Sequence, residues 1–157
     1  VTTRFLLADH LGALARWLRL LGYDAAVYRQ LGFAQLIHRA AKERRVYLTR
    51  SPREADDHRP FPRRLVHGQK ALEQLASLRE VLSLDEGRLF SRCSVCNVHL
   101  RALPRARAAQ LVPPHVFETQ EDFRYCPRCG RVYWAGTHEQ EARERLRKIF
   151  AAPTPVP

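Results

Sequence analysis

No stretch of this chain approaches the roughly 18 to 20 consecutive apolar residues of a membrane span, and its amino terminus has no apolar signal core followed by a cleavage site. These absences predict a cytoplasmic protein without membrane association. Cysteine is scarce: 157 residues hold four, and none lies outside the pairs Cys93/Cys96 and Cys126/Cys129. No internal repeat is present beyond those pairs. Acidic side chains are also few, with 16 Asp and Glu against 27 Lys and Arg, a formal charge of +11 and a pI near 10.4. Arginine dominates that excess. The first 92 residues carry 17 basic and 10 acidic groups and the remainder 10 and 6, so the bias runs through the chain. Such a balance is the electrostatic footprint of a polyanion binder, although an arginine-rich composition alone raises the pI in the same way.

What is present begins with the cysteines. A Cys-x-x-Cys turn sets two thiolates on one side of a knuckle, and two facing knuckles supply the tetrahedral sulfur shell that zinc prefers. Asn97 and Gly130 follow the second thiol of each pair, where the backbone often needs positive φ. A closed set of four thiolates predicts structural zinc on Cys93, Cys96, Cys126 and Cys129; a catalytic zinc would need an open position. His99 and His138 are nearby candidates for substitute ligands or supporting groups. The competing reading, two disulfides or two redox dithiols, needs an oxidising setting that nothing else in the chain suggests. Between the knuckles, Leu111–Phe117 reads as irregular or edge-strand material, and Val132-Tyr133-Trp134 as a strand returning over the metal.

At this length, with 45% hydrophobic residues, the chain can form one domain or two small ones around a real core. Strand-like runs at Arg4–Ala8, Ala25–Tyr28, Val46–Thr49 and Leu65–His67 alternate with helical spacing over Leu11–Leu21, Phe33–Arg44 and Ala71–Leu82. Gly22 stops the first of those helices. The alternation predicts an α/β fold with a mainly parallel sheet covered on both faces. The pattern stops at Asp85-Glu-Gly87, dividing the chain into an α/β domain at 1–87 and a ribbon with a C-terminal helix at 88–150. Residues 151–157, rich in proline, read as a disordered tail. Thr137 and Gln140 have capping-box spacing ahead of a helix over Glu139–Ile149. The basic residues Arg143, Arg145, Arg147 and Lys148 in its last turns suit the negative end of the helix dipole or a phosphate.

Several motifs fall in a definite order: Asp9-His-Leu-Gly-Ala-Leu-Ala-Arg-Trp-Leu-Arg-Leu-Leu-Gly-Tyr-Asp24, Val46-Tyr-Leu-Thr-Arg50, Arg92-Cys-Ser-Val-Cys-Asn97 and Cys126-Pro-Arg-Cys-Gly-Arg-Val-Tyr-Trp-Ala-Gly-Thr-His138. This series, over residues 4 to about 148, resembles the Mut-seven C-terminal RNase domain family. The resemblance implies a PIN-like three-layer nuclease domain followed by a zinc ribbon, with acidic side chains at the carboxyl ends of the strands holding magnesium or manganese. Hard divalent ions need several oxygen ligands, so those strand ends decide the chemistry.

The strand ends depart from the family pattern. Its first Asp falls on Ala8, with Asp9 adjacent as either a displaced metal ligand or the N-cap of the first helix. Ser51 stands for the Asp of the Leu-Thr-Arg-Asp motif, Leu31 and Gly32 for the acidic pair before the second helix, and Gly68 and Gln69 for the acids after the fourth strand. Asp24 reads as a turn residue, and Glu54, Asp56 and Asp57 as solvated loop carboxylates. The same rim carries Arg29, Arg50, Arg53, His67 and Lys70, and Arg16 and Arg19 share a face of the first helix; guanidinium in place of carboxylate turns a cation site into a phosphate site. Trp17 reads as packed. Three functions are consistent with this pattern. The first is a catalytically degenerate RNA binder for tRNA, ribosomal RNA or the ribosome, using Arg16, Arg19, Arg29, Arg50, Arg53 and Lys70. The second is a divergent metal-dependent endoribonuclease built on Asp9. The third is a protein-interaction module acting through the ribbon or the Pro-rich tail.

Overall fold

The computed structural model describes residues 2–153. Strand β1 (Arg4–Ala8) lies inside a sheet of order β2-β1-β3-β4, with β2 at Asp24–Tyr28, β3 at Val46–Thr49 and β4 at Arg63–Leu65, every pairing parallel. Phe5, Leu6 and Leu7 are all fully buried, as a strand covered on both faces requires. Phe5 and Leu7 point into one core and Leu6 into another. Helices α1 (Gly12–Leu20) and α4 (Ala71–Ser77) cover the first face, and α2 (Phe33–Lys42) covers the second through Leu36, Ile37 and Ala40. The result is a three-layer α/β arrangement. A short helix, α3 (Pro52–Ala55), fills the connection from β3 to β4.

Gly22 ends α1 at φ +89°, and a Cβ there would lie 2.5 Å from the carbonyl oxygen of Arg88, so both the turn and the close approach need glycine. Two elements shift from the periodicity reading. β4 starts two residues early, because the Arg63 guanidinium folds back onto the carbonyls of Ala55, Asp57, Arg59 and Phe61 and lets the strand begin opposite Tyr47. The third helix stops at Ser77 and continues as a single 3-10 turn at Arg79–Val81, which still buries Leu78 and Leu82.

The second half contains an antiparallel sheet of order β5-β6-β7, formed by β5 (Arg101–Leu103), β6 (Phe123–Tyr125) and β7 (Val132–Tyr133). Between β5 and β6 the chain forms two short helices, α5 (Arg105–Ala108) and α6 (Pro114–Thr119). Of the Leu111–Phe117 stretch, Leu111–Pro113 is irregular as expected, and Pro114–Phe117 is helical rather than edge strand. Pro113 and Pro114 occupy the N-cap and first position of α6, where a fixed φ and a missing N–H do no harm, and Arg105 closes the far end on the Phe117 and Gln120 carbonyls. Leu103, Ala108, Val112, Val116 and Phe123 make this half's own small core.

Helix α7 (Thr137–Ala151) does not pack on that core. Its Leu146 is fully buried among Phe5, Leu75 and Leu78, with Ala142, Ile149 and Phe150 alongside, and Leu89 and Phe90 join the same cluster. Packing thus crosses residue 87 in both directions. The capping box does not form, because Gly136 is the N-cap and Thr137 is already helical. The helix also runs to Ala151, where Arg79 donates to the carbonyls of Ile149, Ala152 and Pro153. The start of the expected tail is therefore anchored, and Thr154–Pro157 lies outside the described residues. Among the described residues, no helix is long and apolar enough to cross a membrane.

Candidate functional site

Because the four strands are parallel, Ala8, Tyr28, Thr49 and Leu65 end on one edge, and the residues that follow, Asp9, Arg29 and Arg50, are exposed there. The chain leaves β1 toward β2 on one side and returns as β3 on the other. The crevice between β1 and β3 is thus a topological switch point, where open α/β sheets bind ligands. Ala8, Asp9, Thr49, Arg50 and Ser51 border it.

Asp9 opens a 3-10 turn, Asp9–Leu11, and its side chain makes no capping bond; Ala8 occupies the cap position with extended backbone. The N-cap reading is corrected: the turn starts directly off the strand, one residue too early for Asp9 to close it. Glu54 is not a solvated loop acid. Its Oε2 accepts from Tyr47 Oη at 2.9 Å and from Thr49 Oγ1 at 2.5 Å, which holds a carboxylate at the end of β3. Burial and this charge push the Tyr47 phenol well above its ordinary pKa. The Ser51-Pro-Arg-Glu54 spacing is the sequence signal that could have located it, since Ser51 Oγ accepts from the Glu54 N–H and starts α3. Asp56 is exposed, and Asp57 is bound by Arg59 at 2.7 Å, whose hydrogen bonds lower its carboxyl pKa.

The rim cations divide into groups. Arg29, Arg50, Arg53 and Lys70 are exposed at or beside the strand ends, with Arg50 donating to Gln69 Oε1 at 3.1 Å. Arg16 is exposed elsewhere, on a groove of about 320 Å3 shared with Tyr133, Trp134 and His138. None of these five forms an ion pair among the described residues. Arg19 is corrected from surface contact to internal brace: it is 7% exposed and donates to the carbonyls of Ala25, Ser94 and Val95. Arg16 and Arg19 share a helix face, but Arg19 lies about one turn further along it, where the first cysteine turn covers it. In α7, Arg143 and Arg147 pair with Glu86 and Lys148 with Glu144, so those cations are already engaged. Trp17 is half-buried against the α/β core.

The cysteine turns repeat one another. Asn97 and Gly130 sit at φ 66° and 74°. Their N–H groups donate to the Cys93 and Cys126 carbonyls at 2.9 and 2.8 Å, and the Cys96 and Cys129 N–H groups point at the first sulfur of their own pair at 3.3 and 3.4 Å. All four sulfurs lie within 4.8 Å of one another, with Cys93 and Cys129 at 3.9 Å. Tetrahedral bonds of about 2.3 Å to a zinc-sized ion would separate sulfurs by about 3.8 Å, so the donor set fits a metal with slight contraction. Tyr133 Oη reaches Cys93 Sγ at 3.1 Å. Burial opposes the Cys93 thiolate, but the Tyr133 hydroxyl and the Cys96 and Val95 N–H groups outweigh it and bring the thiol down to about 6. Burial, then hydrogen bonding to Cys129 and the Cys93 charge, push Cys96 up to about 12. Thiols this close do not all ionise together unless a cation sits among them. His99 and His138 are not in the group; His99 bridges Arg92 through the backbone, and His138 lines the Arg16 groove.

Sequence reasoning missed the joint between the halves. Asp24 is the first residue of β2, not a turn residue, and it accepts from Arg4, Arg45 and Asn97 Nδ2. Asn97 Oδ1 in turn accepts from the Ala25 N–H at 3.0 Å. Burial opposes the charge, but Arg45, Asn97 and Arg4 hold the Asp24 carboxyl down at about 2.

A family model described as Mut7-C RNAse domain matches residues 3–146, nearly the whole chain. The chain belongs to the Mut7-C RNase domain family. No curated protein and no solved structure matches it. The Mut7-C match takes in the parallel sheet, both cysteine turns and α7 as far as its buried Leu146. Membership ties this Mut7-C chain to a nuclease-like, RNA-related domain that carries a candidate four-cysteine metal centre.

Proposed function

We propose that this Mut7-C protein binds structured RNA, of the tRNA or ribosomal kind, and that phosphate recognition has replaced metal-dependent cleavage at its sheet rim. One observation carries the reading: the switch point offers Ala8, Ser51 and exposed cations where cleavage would need a set of carboxylates, and of the two acids beside it Asp9 stands exposed at the end of β1 while Glu54 is held by Tyr47 and Thr49. Arg29, Arg50, Arg53 and Lys70 would contact phosphates, and Arg16 would extend contact along α1. Arg19 has no part in it. Zinc on the four cysteines would fix the ribbon against the sheet, in a reducing, cytoplasmic setting that keeps thiolates available. Residues 1–87 and 88–150 are proposed to act as one unit. RNA binding measured across salt concentrations tests the reading; the logarithm of affinity should fall by about 0.7 to 0.9 per phosphate contacted for each tenfold rise in salt.

A second reading is a divergent endoribonuclease in which Asp9 and Glu54 share a magnesium or manganese ion. The placement of Glu54 at the end of β3 favours it. Manganese-dependent cleavage by pure protein, lost in both Asp9→Asn and Glu54→Gln, would establish this alternative and end the first. Docking of a protein partner on the ribbon predicts weak RNA affinity with little salt dependence.

A further inference from the structure

A cavity of about 790 Å3 lies along β2 beside the first cysteine turn, reaching the rim at Tyr28, with Arg128 of the second turn also lining it. β2 is the open edge of the parallel sheet. Its lining includes the apolar side chains of Val27, Val95 and Val98 and the arginines Arg19, Arg45 and Arg92. Asp24 is the single carboxylate lining it, and Arg4, Arg45 and Asn97 already bind it. Arg92 donates through Nε to the Gly22 carbonyl and through Nη1 to the Asn97 carbonyl, and its Nη2 has no protein partner among the described residues. Arg128 is exposed and unpaired among those residues. Strand alternation adds polar groups: the Ala25 N–H and C=O face outward to Asn97 and Arg19, so Val27, two residues on, presents its own N–H and C=O on the same open side.

We infer that this cavity is a nucleotide pocket that takes the phosphorylated end of a single-stranded RNA. Guanidinium forks match phosphate oxygens, and with Asp24 already taken up by Arg4, Arg45 and Asn97, Arg92 and Arg128 are left without a carboxylate partner among the described residues and favour an anion. A phosphomonoester carries close to two negative charges, where an internal diester carries one. The volume lies within the roughly 300 to 1,000 Å3 of small-ligand pockets, and Val27, Val95 and Val98 offer a base apolar contact near the free β2 backbone. The inference rests on the RNA reading only for the source of the phosphate, since a free nucleoside monophosphate has the same chemistry.

The test uses metal-loaded full chain and one single-stranded RNA in three forms: 5′-phosphorylated, 3′-phosphorylated, and with hydroxyls at both ends. Fluorescence anisotropy should show one phosphorylated end binding about tenfold more tightly than the hydroxyl form. Adenosine monophosphate in excess should cancel that difference. Arg128→Ala and Arg92→Lys should each erase it, whereas Arg50→Ala should weaken all three probes alike. Arg128→Ala leaves the Arg92 bonds to Gly22 and Asn97 in place, so a folding defect cannot imitate the result. Equal affinity for the three forms, with no displacement by the monophosphate, overturns the pocket. If no RNA binds but adenosine monophosphate shifts the amide resonances of Val95 to His99, the pocket stands and the RNA reading falls.

Discussion

In the cysteine centre, two buried and two more accessible thiols come from turns that repeat each other bond for bond; at the rim of the parallel sheet, the cations stand in solvent with no ion-pair partner among the described residues. The first arrangement is preorganised: backbone N–H groups, Tyr133 and the positive φ of Asn97 and Gly130 set the sulfurs before any ion arrives. The second is adaptable, since long exposed arginines can follow an irregular phosphate backbone but define no single geometry. This member of an RNase-domain family thus joins a centre fixed by local geometry to a basic rim that is not. The joint between these regions is itself rigid: Arg19, Asp24 and Asn97 tie the knuckle to β2, and α7 returns to the α/β core.

The largest effect should come from stripping the metal. Structural zinc contributes on the order of 10 kcal/mol in small zinc peptides. Chelation under reducing conditions should therefore lower the melting temperature of the whole chain as well as the ribbon, read by circular dichroism and tryptophan fluorescence. An unchanged melting temperature, with the cysteines found as disulfides, would remove the contrast between a fixed centre and a soft rim. Next, Leu146→Ala and Arg19→Met should each cost about 2 to 4 kcal/mol in urea unfolding, the first by a core cavity and the second by orphaning the Ala25, Ser94 and Val95 carbonyls. If either costs nothing, the two halves are not one cooperative body.

A smaller effect concerns pH. Asp24 is depressed to about 2 in the folded chain, so its contribution is complete above the ordinary Asp value and is lost as pH falls through its folded value. Stability should decline by about 1 to 2 kcal/mol between pH 4 and pH 2, roughly, and Asp24→Asn should flatten that part of the profile. The smallest expected change is at the rim. Arg29→Ala, Arg50→Ala and Arg53→Ala should each leave the unfolding free energy within about 0.5 kcal/mol of wild type. Each should reduce the salt slope of RNA binding by about 0.7 to 0.9. A stability loss with an unaltered slope would show that these arginines are structural.

Much of the α/β half was legible because burial on both faces leaves apolar runs in the sequence: Arg4–Ala8 and Val46–Thr49 are strands at the expected bounds, and α1 and α2 end within two residues of theirs. The knuckles were legible because Cys-x-x-Cys spacing and a turn-tolerant residue after the second thiol are local requirements. Glu54 and Asp24 were misread because their partners, Tyr47 and Arg45, are chosen by strand register, and a local composition of polar residues looks the same whether it is solvated or paired. The helical part of Leu111–Phe117, from Pro114 on, was missed because two adjacent prolines signal irregularity just as readily as a helix start.

Residue type and short-range spacing were enough to establish the main strands and helices of the α/β half, the four-thiol set and the excess of positive charge. It took the closed fold to show that Arg19 is a buried brace while Arg16 faces solvent, that α7 belongs to the α/β core, and that Glu54 sits at a strand end. Those outcomes depend on which surfaces meet across dozens of residues, and a guanidinium or carboxylate carries no mark of its partner until the chain has closed around it.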